Sequence, residues 1–592
     1  MMTAAPVAAK PHGVLKMMVV VVCASGLIAL AILASNKVQD AAFRMRDQSP
    51  AIAVLPFENV GKDEGQEFAD GMTEEITNRL ASLHGLRVIG RQSAKGYAGT
   101  GKSPQEIAKE LNVKYILTGT VRWDKSPDGK DLVRVSPALL RTSDATQMWT
   151  EAYQTALTGM FDLQSKVATQ VATALNLTLP APERRALGAK PTDSRTAYSS
   201  YLHARQILDS TYQSPQLREA IGLLQKAVAA DPEFVIAWAS LGAAHTQLYW
   251  YGGDPTKERL RLARAALDKA VSLDPELPEV QLARGVYLFH GERNYEAASR
   301  AFEMTRALRP SDPNVASYQG AIQMRQGRVN EAIESFRRTV DLDPRSAASV
   351  EQLARTLLYA RRYHEAESLV DQAMALAPTG ADAARDKTFI AINSRGNVPE
   401  AIEHLRNAVR TVQPQSSLTS LLFEYAWPAV EDPSLRKILT NVRYTRDMRR
   451  GWYYAHKADL MMYLGDLPHA RSYADSATTV LAEEISKVPE TSAVHTALAQ
   501  SYSITGNKKE AFDELTRADE ALAVSPDAFR AAERENARVF VLTNLGDYDS
   551  AITAMEKRLD VPGGLSRNYL RLNPRFAVMR ANPRFQRLIQ DR

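Results

Sequence analysis

The 592-residue chain holds one cysteine, Cys23. A single thiol excludes a disulfide framework and any cysteine-based zinc site. Its place in an apolar run leaves no redox role to expect. Neither sign of charge is in large excess. The 73 Lys and Arg against 68 Asp and Glu give a formal net charge of +5, too small at this length to imply a nucleic-acid partner. Among ten histidines there is no HExxH spacing, and no GxSxG nucleophile elbow occurs, so neither a zinc nor a serine hydrolase is indicated. Carboxylate pairs occur as on any helical surface, and none stands out. The chain is therefore expected to be no enzyme, with no catalytic group, metal site or cofactor. What is present is ordinary globular composition, 45% hydrophobic and 24% charged, in a chain too long for one core.

Long apolar runs are equally rare. Met17 to Ala34 is one, eighteen residues without charge, preceded by Lys10 and Lys16. It is long enough to span a bilayer, long for the apolar part of a signal peptide, and followed by no A-x-A site. The expectation is an uncleaved transmembrane helix over 17–35 behind a short cytoplasmic tail at 1–16. Lys10 and Lys16 face Lys37, Arg44 and Arg46, so the positive-inside count is a tie. A short tail before a large C-terminal bulk fits an N-in anchor.

A compact α/β domain is expected over 49–178. Ala51 to Phe57 (AIAVLPF) reads as a buried strand. After Gly71, Thr73 can cap a helix whose first turn holds Glu74 and Glu75, and Ile76, Leu80 and Leu83 give it one buried face. Leu86 to Ile89 reads as a strand and Gln105 to Leu111 as a helix. Tyr115 to Trp123 and Leu132 to Leu140 flank a hairpin turn, Ser126-Pro127-Asp128-Gly129. A strand from Met148 to Tyr153 and a helix from Phe161 to Leu175 complete the reading.

The order and spacing of "AIAVLPFENV", "FADGMTEEI", "LRVIGRQS" and "IAKELNVKYILTGTVR" resemble a bacterial domain similar to the N-terminal domain of TolB and to FlgO. The resemblance covers about 130 residues. It implies a place between a membrane anchor and helical repeats, as in the extracytoplasmic halves of CadC-like regulators and of adenylate cyclases. It also implies a bacterial inner-membrane protein with its bulk in the periplasm. Those relatives carry a DNA-binding, cyclase or kinase domain before the anchor, where sixteen residues stand here, so their output activity does not carry over.

Gly96 to Ser103 matches GxxxxGK[ST], the phosphate-cradling loop, with Lys102 in the phosphate-binding position. The context is wrong for it. Six residues separate Ile89 from Gly96, and Pro104 removes an amide that the cradle would use. The same residues form a helix start, with Ser103 as N-cap, Pro104 at the first helical position and Glu106 closing a capping box.

Leu179 to Ser194 (LPAPERRALGAKPTDS) reads as an interdomain linker. From 195 to 592 the chain is expected to be a helical repeat array with a C-terminal cap. Pro310, Pro344 and Pro378 recur every 34 residues. Gly320, Gly327, Ala332 and Phe336 precede Pro344 at the offsets at which Ala354, Arg361, Ala366 and Val370 precede Pro378. Small residues let two helices approach, a bulky one fills the gap to the next unit, and proline stops the second helix. The period and offsets resemble the tetratricopeptide (TPR) repeat, a helix–turn–helix unit that stacks into a superhelical solenoid.

Asp231-Pro232 and Asp274-Pro275 end earlier units, and Tyr249, Trp250 and Tyr251 lie in an insertion between them, read as a helix end packed on its neighbour. Glycine turns at Gly396, Gly465, Gly506 and Gly546 mark later units, while Gln413 to Arg450 is irregular. Arg443 to Tyr454 mixes arginine with aromatics and reads as a solvated helix face running into a packed one, so no nucleic acid is expected. The paired Asn-Pro-Arg-Phe sequences at Asn573 and Asn582 read as the cap.

The TPR resemblance assigns inward positions on each first helix. In the two best units these are Asn314, Ser317, Ala321 and Met324, then Ala348, Glu351, Arg355 and Leu358, with Ala321 and Ala348 expected only to pack. The rest suit a protein or peptide partner. The expectation is thus a membrane-anchored extracytoplasmic TPR scaffold. One alternative is the sensor half of a signalling system that acts on a separate cytoplasmic output protein and pairs as a homodimer through 17–34. The other is a nucleotide-dependent enzyme using Lys102.

Overall fold

The computed structural model describes residues 49–60, 66–125, 131–156, 160–188, 190–210, 214–251, 254–445, 448–487, 492–524, 526–559 and 561–590. The expected tail, the membrane helix at 17–35, the turn at 126–129 and the glycines at 252 and 253 lie outside them. Among the described residues no helix is long and apolar enough to cross a membrane.

The first body is an α/β sandwich. Its strands are β1 (Ala51–Val54), β2 (Glu58–Val60), β3 (Arg87–Val88), β4 (Tyr115–Lys125), β5 (Asp131–Arg141), β6 (Gln147–Thr150) and β7 (Tyr153–Ala156). The sheet runs β3-β1-β4-β5-β6, with β2 also paired to β4 and β7 to β5. β1 is parallel to both neighbours, and β4 and β5 form a long antiparallel pair. Alternation along β1 sends Ile52 and Val54 to one core and Ala51 and Ala53 to another, as a two-residue side-chain period requires. Helices α1 (Gln66–Ala81) and α4 (Met160–Ala174) cover the first face. Helix α3 (Pro104–Leu111), which follows the short α2 (Arg91–Lys95), covers the second.

Three local expectations change. Thr73 does not cap α1, because Phe68, Ala69 and Met72 extend the apolar face and the helix begins at Gln66. Thr73 instead stands mid-helix, where its hydroxyl donates to the Ala69 carbonyl at 2.8 Å and accepts from the Phe57 amide at 3.0 Å. Glu74 and Glu75 are consequently mid-helix too. The single strand expected at 148–153 is two, since β6 pairs with Ala138–Leu140 and β7 with Leu132–Val135 of the same long partner. The segment read as a linker carries helix α5 (Ala181–Gly188), with Leu187 buried in the sheet core. Pro182 near its start and Glu183 in its first turn favour that helix.

The second body is helical throughout. Pairs α6 (Arg195–Ser210) and α7 (Ser214–Ala230), α8 (Val235–Trp250) and α9 (Lys257–Leu273), α10 (Pro278–Val286) and α11 (Tyr295–Leu308) lead into the most regular part. There α12 (Pro313–Arg325) pairs with α13 (Val329–Leu342), α14 (Ala347–Tyr359) with α15 (Tyr363–Leu376), and α16 (Ala381–Asn393) with α17 (Val398–Thr411). The sequence signature has a direct physical reading. A Cβ on Gly320 would lie 2.9 Å from the Phe336 ring, so glycine is what lets α12 and α13 close on that aromatic. Gly327 and Gly396 turn between helices at φ +76° and +64°, and Arg361 takes the same left-handed place at +62°.

The irregular stretch holds three short helices, α18 (Gln415–Glu424), α19 (Ala426–Ala429) and α20 (Pro433–Asn441). Pairing resumes with α21 (Arg450–Leu464) and α22 (Leu467–Lys487), α23 (Ser492–Thr505) and α24 (Lys508–Val524), and α25 (Ala528–Asn544) and α26 (Tyr548–Arg558). Trp250 stacks on His290 with centroids 4.3 Å apart, so the aromatic insertion is a packed helix end. Arg449 and Arg450 lie over Trp452 and Tyr454, themselves packed against the array. Closing helices α27 (Arg567–Leu572) and α28 (Pro583–Ile589), with the 3-10 turn Pro574–Met579 between them, bury Leu570, Phe576 and Phe585 against α25 and α26. This end also returns to the middle of the array. The Gly563 amide donates to the Tyr359 carbonyl at 2.9 Å, and Ser566 to Asn393 at 2.9 Å.

Candidate partner-binding face

In stacked helix pairs the first helices share one face. Two different things happen along it. From α6 to α12 it is covered by the α/β body. Arg205 of α6 donates to Glu74 of α1 at 3.0 Å, and Arg91 at 2.8 Å. Arg309, buried at the end of α11, reaches Asn78 at 3.0 Å and Glu279 at 3.2 Å. Burial works against ionisation of Glu74, but Arg205 and Arg91 hold its carboxyl below the ordinary value. Burial pushes the neighbouring Glu75 up despite Arg79. These side chains line an open polar cavity of about 290 Å³, bordered from the array by Tyr201, Gln247, Glu279 and Tyr318. Asn314 lines it too, so that expected partner contact faces the chain's own first domain.

From α14 to α18 the N-terminal part of the same face is exposed and charged, while the C-terminal ends of α14 and α16 meet the chain's closing segment. Arg355 donates to Asp382 of α16 at 2.8 Å, and Arg385 to Glu424 of α18 at 2.8 Å, with a second contact from Arg385 to Asp382. Glu351 is half-buried beside them and Asp386 is 4% exposed. Burial pushes Glu351 up to about 7, with Asp382 adding to the rise and Arg355 opposing it. Burial likewise pushes Asp386 up to about 7 against Arg355 and Arg385. Six ionisable groups from three successive units thus form one strip.

The expected contact residues divide accordingly. Glu351 and Arg355 stand together in the strip. Ser317 is one unit earlier and donates to Gln352 at 2.7 Å. Met324 and Ala321 are half-buried against apolar neighbours, and Ala348 is exposed. Leu358 is 4% exposed and packs among Val350, Leu353 and Leu357 in the core between units, so it offers nothing to a partner. Asp382, Arg385, Asp386 and Glu424 were missed. One further 34-residue step from Ala348 and Glu351 lands on Asp382 and Arg385, which is the signal that would have found them.

The phosphate-loop match resolves into the cap. The Ser103 amide donates to the Glu106 carboxylate at 2.7 Å, and the Ser103 hydroxyl accepts from the Glu106 amide at 3.3 Å. A carboxylate therefore lies on the amide that a phosphate would need. Lys102 is turned to Glu110 at 2.5 Å. Among the described residues no group of three or more His, Cys, Asp or Glu is arranged to hold a metal ion.

Comparison with known proteins places the repeats. The tetratricopeptide repeat family matches residues 256–313, and the family described as anaphase-promoting complex, cyclosome, subunit 3 matches residues 291–373. A curated relative, the putative adenylate cyclase 3 of Rhizobium meliloti (strain 1021), is 31% identical over 225 residues, 37% of each chain. The chain thus spans little more than a third of that relative's length. Among solved structures, the type IV pilus biogenesis factor PilW is 18% identical, with 38% of this chain and 99% of that one covered at a TM-score of 0.32. The human IFIT1 dimer with PPP-AAAA is 16% identical, with 62% and 79% covered at 0.35. The C-terminal region is thus a scaffold of tetratricopeptide-type repeats.

Proposed function

We propose that the chain is a membrane-anchored, extracytoplasmic TPR scaffold that holds a segment of another protein along the first-helix face from α14 to α18, in envelope assembly or signalling. The α/β body is read as a TolB-N-terminal/FlgO-type domain next to the membrane, and 17–35 as the single inner-membrane anchor. One observation carries the binding reading. The strip through Glu351, Arg355, Asp382 and Arg385 is charged and solvent-facing, whereas the preceding units are already occupied by α1. Interaction surfaces that read a partner's charge pattern are built this way. The test is photo-crosslinking in cells from position 355, with position 337 on the exposed outer side of α13 as control. Capture from 355 and none from 337 supports the reading, and capture from 337 alone defeats it.

A second reading is the sensor half of a signalling system, working on a separate cytoplasmic output protein as a homodimer through 17–34. The similarity to the putative adenylate cyclase and the polar cavity between the two bodies favour it. Its mark is self-association that disappears when 17–34 is replaced by an unrelated apolar span.

A further inference from the structure

The strip does not balance its own charge. Among the described residues the cations in it are Arg355, engaged by Asp382, and Arg385, engaged by Asp382 and Glu424. That leaves Glu351 on α14 and Asp386 on α16. Asp386 is almost wholly buried, and its Oδ2 has no hydrogen-bond partner. Its charged neighbours include Arg355, Arg385, Asp382 and Glu424, so this carboxyl stands among the charged groups of the strip. A carboxylate left without a partner away from water is costly, and such a group marks a candidate binding site.

We infer that Glu351 and Asp386 form a receptor for one cationic side chain, a lysine or arginine, of the segment bound along α14–α18. This inference rests on the proposed function and adds the chemistry that the partner must carry. The two guanidiniums do the complementary work. By holding Asp382 and Glu424 they keep those carboxylates from competing for the incoming cation and leave Glu351 and Asp386 as the carboxyls to be neutralised. A partner cation there forms charge-assisted hydrogen bonds in a poorly hydrated setting, where they are stronger than at a free surface. An acidic segment meets uncompensated carboxylates and is rejected.

The test is selection of nine-residue peptides from a random display library on the full-length chain, followed by affinity measurement on single synthetic peptides. The expected result is enrichment of sequences sharing one lysine or arginine. Replacement of that residue by norleucine, or the combined Glu351→Gln and Asp386→Asn change, then weakens binding by about tenfold or more, the scale of losing charge-assisted hydrogen bonds. Binding of the unaltered pair should also strengthen between pH 6 and pH 8. Glu351 and Asp386 ionise there, facing Arg355 on α14, Asp382 and Arg385 on α16, Glu424 on α18 and the Tyr425 hydroxyl next to it. The amide variants keep side-chain shape, and their thermal unfolding shows that the fold persists. Peptides enriched without a shared basic position, or unaffected by the double change, overturn this inference while leaving a working groove. Failure to enrich any peptide that Arg355→Glu disturbs overturns the groove itself.

Discussion

Asp343, at the end of α13, accepts hydrogen bonds from both the amide and the hydroxyl of Ser93, 250 residues earlier, the amide at 2.8 Å. The contact is buried, and the Gly90 amide beside it donates to the Leu342 carbonyl at 2.6 Å. The α/β body is therefore joined to the array by matched polar groups as well as by apolar contact. Asp343→Ala would leave the Ser93 amide unsatisfied, costing on the order of 2 kcal/mol. Gly90→Val should do at least as much, since any Cβ there lies 2.6 Å from the Asp343 carboxyl carbon. Hydrogen exchange at 90–95 and 342–346 should accelerate together in both variants. Acceleration confined to one side would mean that the two bodies are not held by this joint.

Phe336 lies against Gly320 with no room for a methyl group. Phe336→Ala should cost about 3–5 kcal/mol by opening a cavity. Gly320→Val should destabilise by overpacking, on the order of 1–3 kcal/mol or more. Combining them should recover part of the loss, because the valine occupies space that the ring vacates. Chemical unfolding of the two single variants and the double variant measures this coupling. Strictly additive losses would show that the two residues do not share one packing site.

Ser103 and Lys102 separate a cap from a nucleotide site. Ser103→Ala should cost about 1 kcal/mol through the lost cap. Lys102→Ala removes an exposed ion pair with Glu110 and should leave stability nearly unchanged. Neither change should alter titrations with ATP and magnesium, which are expected to show no saturable binding. Saturable binding abolished by Lys102→Ala would restore the nucleotide-enzyme reading.

The repeat architecture was legible because its causes are local. Gly320, Phe336 and Pro344 act within one 34-residue unit, and a period exposes what any single residue would hide. Ser103 and Glu106 were legible for the same reason. Thr73 misled because a good cap residue followed a glycine, while the apolar run that starts α1 earlier draws its support from the sheet. The stretch at 181–188 looked like a linker by composition, and only the burial of Leu187 makes it part of the core. Least legible was the fate of Asn314. Its repeat position marks an inward contact, but nothing local tells that α1 of the same chain would occupy that face. The strip beyond it needed only the period carried one unit further, to Asp382 and Arg385.

Asp386 ties stability to pH with a definite sign. Its carboxyl ordinarily loses its proton near 3.8, but burial keeps it protonated in the folded chain up to about 7. Between those values the folded form binds more protons than the unfolded one, so stability falls as pH rises through the window and stays lower above it. Glu351, also pushed up to about 7, acts in the same direction. Asp386→Asn abolishes the first contribution. The variant should therefore show a shallower decline of unfolding free energy from about pH 4 to pH 7 and be more stable than the parent at pH 8, by on the order of 2 kcal/mol. Asp382→Asn offers the opposite control. Although burial favours its neutral form, Arg355 and Arg385 hold that carboxyl below its ordinary value, so its loss should destabilise the chain at neutral pH. Denaturant titrations across this range decide the matter. If Asp386→Asn followed the parent's profile throughout, Asp386 would be ionised and satisfied in the folded chain, and the strip would hold no uncompensated carboxyl there.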